Sequence, residues 1–384
     1  MIQPARLVKG ASVVLSSPRS ECNRDIDSLT GYREIHATLW QRGEIFDLGT
    51  LGGNESFANF INDRGQITGA ALNAIPDALT TELFIGATQV HAFLWEHGSM
   101  QDLGTLGGPD SFGYYINERG EVTGQSFTND INETTGIPTL DPFLWRDGRM
   151  LDLGSLGGTF GVPDALNNRG QVVGGSTLAG DEAFHPFLWD KGRMKDLGTF
   201  RGDFGEAFGI NDDGEVVGKA YFHGDERWDA FVWIRGLMTD LGNLGCTSTA
   251  YSINSRGQIA GTSRLADCQT VHAVLWQNGK IYDLNDIIPP GSGLELFETH
   301  QINDDVIAGN GLPSGCDDVH VCGHAFLLFP CDDRLSECKN EPSAQDSILQ
   351  NEPSRTVRLN TGRHRRRQPR GGLFFAGGES VIEH

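Results

Sequence analysis

The sequence predicts an all-β protein, and we interpret it as a β-propeller of four-stranded antiparallel blades. Two short motifs alternate along most of the 384 residues at a nearly constant spacing. Each motif has the form of two short strands around a tight turn. The chain also contains 51 glycines, a composition that favours many turns over long helices.

The first motif, which we call the Trp hairpin, is clearest at His91-Ala-Phe-Leu-Trp95, whose second strand ends at Asp102. Phe93 and Trp95 fall on one face because side chains alternate along a strand, and the tryptophans of the repeat are expected to pack in the core. A glycine such as Gly98 supplies the positive φ that a short hairpin loop needs. In all six copies the aspartate follows the tryptophan by seven positions: Trp40/Asp47, Trp95/Asp102, Trp145/Asp152, Trp189/Asp196, Trp233/Asp240 and Trp276/Asp283.

The second motif, the Asn hairpin, has the form Ile-Asn-x-x-Gly-Gln-Val-Val-Gly. Its asparagine is expected to close an Asx turn onto the backbone just ahead. Its first glycine supplies the positive φ that the turn needs. The last copy lacks the turn glycine and closes one residue sooner, at Gly309. The six asparagines are Asn62, Asn117, Asn167, Asn211, Asn254 and Asn303.

One Asn hairpin and one Trp hairpin give four strands that cannot bury their own apolar faces, so neighbouring units must stack. Radial stacking of such units gives a propeller. We expect residues 1–35 to be a degenerate first half-blade and loop, 36–329 the propeller, and 330–384 a disordered tail. Seven blades are preferred over six, and a truncated gene model with an incomplete first half-blade is a third option.

The joint pattern of both hairpins over roughly residues 36–329 resembles the HAF-repeat family, named for the triplet present here as His91-Ala92-Phe93. The resemblance implies a bacterial extracellular repeat protein with no assigned activity, and it transfers no catalytic residue. The N-terminus lacks the uninterrupted apolar segment of a signal peptide, which departs from that expectation.

Composition excludes some classes of partner and indicates a compartment. The net charge of −21 disfavours a nucleic-acid partner, which needs clustered Lys and Arg. No apolar run reaches the ~20 residues of a transmembrane helix. Six of the seven cysteines form sequence-near pairs, which favours disulfides in an extracellular or cell-envelope location over a zinc site. The pairs are Cys246/Cys268, Cys316/Cys322 and Cys331/Cys338.

Candidate chemistry inside the repeat is better explained by structure. Leu-Gly-Thr-Leu-Gly-Gly108 lacks the lysine and the helix of a phosphate loop. The Asp-rich stretch 210–214 is too short for a calcium loop. The repeated Asp and His residues, such as Asp102 and His91, are interpreted as hydrogen-bonding staples, because a catalytic residue normally has one special environment. We therefore predict no catalytic residue, no metal site and no cofactor, and leave the binding residues unassigned.

The connections vary more than the hairpins, and insertions gathered on one face of a repeat protein often form its binding surface. Our first hypothesis is therefore a non-enzymatic extracellular scaffold that binds a protein or a glycan through loops on one rim. The enlarged connections are residues 70–90, 125–140 and 310–323, with a further elaboration at 286–293. Trp228, outside the repeat positions, is a candidate surface contact.

Two alternatives remain open. A propeller-type glycoside hydrolase or lyase needs a pair of carboxylates about 5–10 Å apart. Its candidates are the non-repeated Asp77, Glu82, Asp130 and Glu133, which the sequence does not pair. A purely structural repeat protein of the cell envelope would need no ligand at all.

Overall fold

The structure is a computed structural model, and it describes residues 2–4, 12–14, 35–41, 43–77, 88–131, 136–288, 292–304, 306–316 and 322–330. The chain divides into two compact units, residues 1–335 and 336–384, and the second lies outside the described residues. The tail prediction therefore falls almost wholly outside them as well.

The described residues form 27 strands and one short 3-10 helix at Leu284–Asp286, so the predicted all-β class is confirmed. No helix among them is long and apolar enough to cross a bilayer. The strands are β1 (Ile2–Pro4), β2 (Ser12–Val14), β3 (Thr38–Gln41), β4 (Glu44–Asp47), β5 (Gly52–Ile61), β6 (Ile67–Pro76), β7 (Thr88–Glu96), β8 (Ser99–Asp102), β9 (Gly107–Ile116), β10 (Val122–Ile131), β11 (Pro138–Arg146), β12 (Arg149–Asp152), β13 (Gly157–Leu166), β14 (Val172–Leu178), β15 (Phe184–Asp190), β16 (Arg193–Asp196), β17 (Arg201–Ile210), β18 (Val216–Phe222), β19 (Trp228–Ile234), β20 (Leu237–Asp240), β21 (Gly245–Ile253), β22 (Ile259–Leu265), β23 (Val271–Gln277), β24 (Lys280–Asp283), β25 (Leu294–Ile302), β26 (Ile307–Pro313) and β27 (His324–Pro330).

Antiparallel pairing sorts these strands into seven consecutive groups, which we call sheets I to VII. Single parallel pairs, Leu140 with Phe160 and Phe184 with Phe204, join sheet III to IV and IV to V. Strand pairing among the described residues does not close the series into a ring. The sheets are I (β2–β4), II (β5–β8), III (β9–β12), IV (β13–β16), V (β17–β20), VI (β21–β24) and VII (β25–β27 with β1).

Both turns form where the sequence predicts them. Asn62 Oδ1 accepts the backbone N–H groups of Arg64 and Gln66, which is the expected Asx turn. In the Trp hairpin, His97 and Gly98 have φ of 52° and 83°, as a two-residue type I′ loop requires. The stretch 103–106 connects β8 to β9 and is thus a sheet-to-sheet connection. Residues 210–214 also form a tight turn, with Asn211 Oδ1 accepting from the Asp213 and Glu215 N–H groups.

Six main apolar cores lie between consecutive sheets, one at each junction of the series, and a smaller seventh cluster lies between sheets II and III. Side chains alternate along the third strand of a sheet, so this strand contributes to the cores on both faces of the sheet. In β7, Phe93 packs towards sheet I, whereas Leu94 packs towards sheet III. The prediction that neighbouring units stack to bury both faces is therefore confirmed.

The prediction that every repeat tryptophan packs in a core is wrong for one of them. Trp145, Trp189, Trp233 and Trp276 are buried, but Trp40 is 47% exposed. Trp40 lies in sheet I, where the tryptophan face has no preceding sheet in the series to cover it. Trp228 begins β19 and is half-buried, with its ring centroid 5.2 Å from that of Tyr221.

Two of the three sequence-near cysteine pairs form disulfides, Cys246–Cys268 and Cys316–Cys322. The third pair, Cys331/Cys338, lies outside the described residues. Cys246 is in β21 and Cys268 in the turn between β22 and β23, so this bond ties the edge of sheet VI to a connection. Cys316 and Cys322 bracket the enlarged connection between β26 and β27.

Removing the two disulfides should have unequal effects on stability. The Cys246–Cys268 bond closes 22 residues and the Cys316–Cys322 bond closes 6. A longer loop loses more entropy on cross-linking, so Cys246→Ser/Cys268→Ser should lower the free energy of unfolding by about 3 kcal/mol and Cys316→Ser/Cys322→Ser by about 2 kcal/mol. Urea unfolding measures both, and the reverse order of the two losses would contradict the loop-length argument.

Candidate functional site

The repeated His and Asp residues form the predicted staple. His91 Nδ1 lies 2.9 Å from Asp102 Oδ1, and the same Asp oxygen accepts the Gly104 N–H at 2.8 Å. Burial alone would raise the pKa of Asp102, but these hydrogen bonds outweigh it and leave the pKa lowered. The same His–Asp contact recurs at His36/Asp47, His185/Asp196 and His272/Asp283. The repeated residues therefore stabilise these four Trp hairpins.

The repeated asparagines also link neighbouring sheets, which the sequence did not predict. Asn167 Nδ2 donates to Gln171 Oε1 within its own turn and to the backbone oxygen of Asn211, 2.9 Å away in the next sheet. All four hydrogen-bonding positions of this buried amide are thus occupied, since Oδ1 accepts two backbone N–H groups. Equivalent bonds between sheets join Asn62 to Asn117, Asn117 to Asn167, Asn211 to Asn254 and Asn254 to Asn303.

The carboxylates considered for catalysis do not pair with one another in the described residues. Asp77 lies beside Asp110, and Asp130 lies near Asp141. Glu82 and Glu133 are outside the described residues. Burial, followed by the charge of Asp77, raises the pKa of Asp110 to about 6. Asp110 Oδ1 accepts the Val90 N–H at 2.8 Å, so this carboxyl group also holds the start of β7.

The raised pKa of Asp110 predicts a pH dependence of stability. Its ordinary pKa is 3.8, so the folded chain binds the proton more tightly than the unfolded chain. The resulting stabilisation is complete below about pH 4 and is lost as the pH rises through about 6. Relative to Asp110→Asn, which keeps the acceptor for Val90, the native chain should lose on the order of 1 kcal/mol over this interval. Thermal unfolding from pH 4 to 7 measures the difference, and parallel pH curves would contradict the assignment.

Each inner strand carries a β-bulge at the same place in the repeat. We call β5, β9, β13, β17, β21 and β25 the inner strands, because each contacts the next along the series. In β13, Pro163 pairs with Gly174 and Ala165 with Val173, which leaves Asp164 as the extra residue. A bulge re-aims a side chain, and bulges are frequent beside functional sites. The six bulge residues are Asn59, Tyr114, Asp164, Phe208, Tyr251 and His300.

These six residues differ from one repeat to the next, although the motif around them is constant. Every one of them stands three positions before the repeated asparagine. A position that only shaped the turn would be expected to hold one residue type, as the glycine positions do. The bulge positions are therefore the part of the hairpin that distinguishes one sheet from another.

Two of the bulge residues are in contact, and charge interactions extend the group to four sheets. Lys219 Nζ lies 5.4 Å from the centroid of the Phe208 ring, and the Phe208 and Tyr251 centroids are 5.6 Å apart. Lys219 is also the cross-strand partner of Glu206. We call the following group the inner-strand cluster, and each of its side chains is half-buried: Tyr114, Asp164, Glu206, Phe208, Lys219 and Tyr251.

The two carboxyl groups of the cluster are unusual. Burial, and then the charge of Glu206, raise the pKa of Asp164 well above its ordinary value, while Lys219 acts in the opposite direction. Burial also raises the pKa of Glu206, again against Lys219. The Asp164 Oδ2 atom is enclosed and has no hydrogen-bond partner within the described ranges. Burial and the charge of Asp164 raise the pKa of Tyr114, whose hydroxyl donates to Gln125 Oε1 at 2.8 Å.

The remaining bulge residues are held by their own contacts. Asn59 Nδ2 donates to the Gly113 backbone oxygen at 2.8 Å, next to Tyr114. His300 Nε2 lies 2.8 Å from Asn310 Nδ2 and 3.6 Å from Glu298 Oε2. Across the part of the chain that the structure describes, no group of three or more His, Cys, Asp or Glu residues is arranged to hold a metal ion.

The predicted binding surface on the connections is only partly described. Part of the enlarged connections is strand, because β6, β7, β10 and β11 extend into them. The tips, residues 78–87, 132–135 and 317–321, lie outside the described residues. The sequence prediction placed binding on the connections, because these vary in length, and it did not include the inner-strand cluster. Variation in residue type at a fixed offset from the asparagine was the signal that would have found it.

Comparisons with known proteins add little to this description. No protein-family model matches the chain, so the resemblance to the HAF-repeat family stays a prediction. No curated protein matches it. Among solved structures, TolB from Acinetobacter baumannii is similar over 78% of this chain and 76% of that chain, with 11% sequence identity and a TM-score of 0.39. The all-β architecture is established by the strand pairing of the chain itself.

Proposed function

We propose that the chain is a non-enzymatic, seven-bladed β-propeller that binds a glycan or a protein segment through its inner-strand cluster. The observation that carries this proposal is the set of bulge residues. They vary within a constant scaffold, they occupy the same place on successive sheets, and they stay partly accessible to solvent. The repeat explains the remaining polar residues as staples, so recognition is assigned to the positions that the repeat does not specify.

The two end sheets support closure of the series into a propeller. Leu327 in sheet VII is 44% exposed, and it occupies the position from which Leu94 packs onto the following sheet. Trp40 in sheet I occupies the position from which other tryptophans pack onto the preceding sheet. The two exposed faces would therefore cover each other in a ring. The pairing of β1 with β27 brings the N-terminal strand into sheet VII, which favours the same arrangement.

An extracellular or cell-envelope location is part of this proposal. The two disulfides support it, because such bonds persist mainly in oxidising compartments. The surface charge is compatible with it, since a net charge of −21 keeps a large β-protein soluble without favouring polyanions.

An array of glycans and peptides tests the binding function. The native chain should bind a subset of the array, and Phe208→Ala/Tyr251→Ala should lose that signal. Phe204→Ala is the matched control, because Phe204 lies on the same strand and is exposed. Absence of binding by the native chain, or equal binding by the double variant, would contradict the proposal.

A glycoside hydrolase is the second candidate, because the structure brings Asp164 and Glu206 into electrostatic contact. Such enzymes need one protonated and one ionised carboxyl group, and a raised pKa suits the proton donor. Chromogenic glycosides provide the test. Turnover by the native chain that Glu206→Gln abolishes would favour the hydrolase, whereas binding without turnover favours the scaffold.

A further inference from the structure

We infer that the inner-strand cluster binds a neutral, polyhydroxylated ligand, a sugar residue, and that a ligand hydroxyl group bonds to the carboxyl group of Asp164. This inference rests on the proposed binding function and names its ligand class. It begins from an atom that the protein leaves without a partner. Asp164 Oδ2 is enclosed by protein but accepts no hydrogen bond among the described residues. Buried polar atoms are nearly always paired, and an exception calls for a missing partner.

The charge of the cluster favours a neutral ligand over an ion. Asp164 and Glu206 are close enough to disfavour each other's ionisation, and Lys219 is close to both. When Asp164 holds its proton, the Glu206 carboxylate and the Lys219 ammonium group balance each other. The cluster then has no net charge with which to select a cation or an anion.

The hydrogen-bonding pattern matches a hydroxyl group. A protonated carboxyl group both donates and accepts, and so does a hydroxyl group. Glu206 and the ammonium group of Lys219 add a second acceptor and further donors around the same region. A ligand with several hydroxyl groups on adjacent carbons would satisfy these groups together, whereas an alkyl ligand would leave them unpaired.

The aromatic part of the cluster suits the C–H face of a sugar ring. Phe208 and Tyr251 form a tilted pair with centroids 5.6 Å apart, beside the polar groups. Binding sites for small molecules combine aromatic walls with a few placed polar groups, and tyrosine offers both an apolar face and a hydroxyl tip. The cluster thus combines an aromatic pair with carboxyl groups.

Titration of the full chain with small probes tests the inference. The probes are neutral mono- and disaccharides, a uronic acid and spermidine. Saturation-transfer NMR and calorimetry measure their binding. We expect binding of neutral saccharides only. Asp164→Leu should reduce their affinity by about tenfold or more, because a hydrogen bond to the ligand is lost. Asp164→Asn should retain part of the affinity, because an amide also donates and accepts.

A stability measurement separates a binding role from a structural one. Asp164 Oδ2 has no hydrogen bond to lose within the described residues, so Asp164→Leu should leave the melting temperature unchanged or raise it. If that variant does not fold, Glu206→Gln takes its place, with Asp203→Asn on the same strand as the exposed control. Saccharide affinity unchanged in Asp164→Leu would overturn the inference.

The outcomes also separate this inference from the proposed function. Binding of the uronic acid or spermidine alone, lost in Phe208→Ala/Tyr251→Ala, would keep the binding function and overturn the neutral-sugar assignment. Binding of only peptides in the array would likewise keep the binding function and overturn the neutral-sugar assignment. No binding of any probe or array member would overturn both.

Discussion

Replacing Asn167 by aspartate is expected to lower the free energy of unfolding by about 3 kcal/mol. The side chain is buried, and its amide nitrogen donates to Gln171 Oε1 and to the backbone oxygen of Asn211. Aspartate keeps the oxygen that closes the Asx turn but places a second oxygen against these two acceptors. The change therefore keeps the Asx turn and removes both the bond to Gln171 and the bond between sheets IV and V.

The control for this substitution is Asn278→Asp, in the exposed turn of a Trp hairpin. Another copy of the hairpin already has Asp147 at the equivalent position, with nearly the same φ. We expect this variant to remain within about 0.5 kcal/mol of the native chain. Urea unfolding of both variants gives the comparison, and equal losses would refute the proposed role of the asparagine bonds between sheets.

Replacing Phe187 by alanine is expected to cost about 3–5 kcal/mol of stability. The ring is fully buried between sheets III and IV, against Leu144, Val172 and Trp189. Because the core lies between two sheets, neither sheet can fill the vacated volume without moving relative to the other. The loss should therefore lie near the upper end of the range for large-to-small substitutions.

Phe160→Ala provides the matched comparison, since Phe160 is 39% exposed on the inner strand of the same sheet. Its removal should cost about 1 kcal/mol or less. Thermal and urea unfolding should place the two variants far apart. A small loss for Phe187→Ala would mean that the cores between sheets contribute less than their burial indicates.

The repeat predicted the elements whose causes are local. The hairpin turns depend on glycine and asparagine within four residues, and the staple of His91 and Asp102 joins the two strands of one hairpin. The alternation of Phe93, Leu94 and Trp95 predicted that both faces of a sheet need cover. The first two disulfides were predicted because their cysteines are near in sequence.

What the sequence did not predict depends on distant partners. The bond from Asn167 to Asn211 joins residues 44 positions apart, and an Asx turn explains the asparagine without it. The bulge at Asp164 is a property of strand register, which two paired strands determine together. The exposure of Trp40 was also not predicted. The motif of the first Trp hairpin is intact, and this hairpin differs from the others only because no sheet precedes it in the series. The candidate site arises from these nonlocal features.

A crystal structure of the chain with its best-binding saccharide tests the central claim most directly, namely that recognition resides at the bulge positions of a constant scaffold. The account predicts the ligand against Asp164, Phe208 and Tyr251, with one hydroxyl group within hydrogen-bonding distance of the Asp164 carboxyl group. A ligand bound only at the connections, for example beside the Cys316–Cys322 loop, would contradict it.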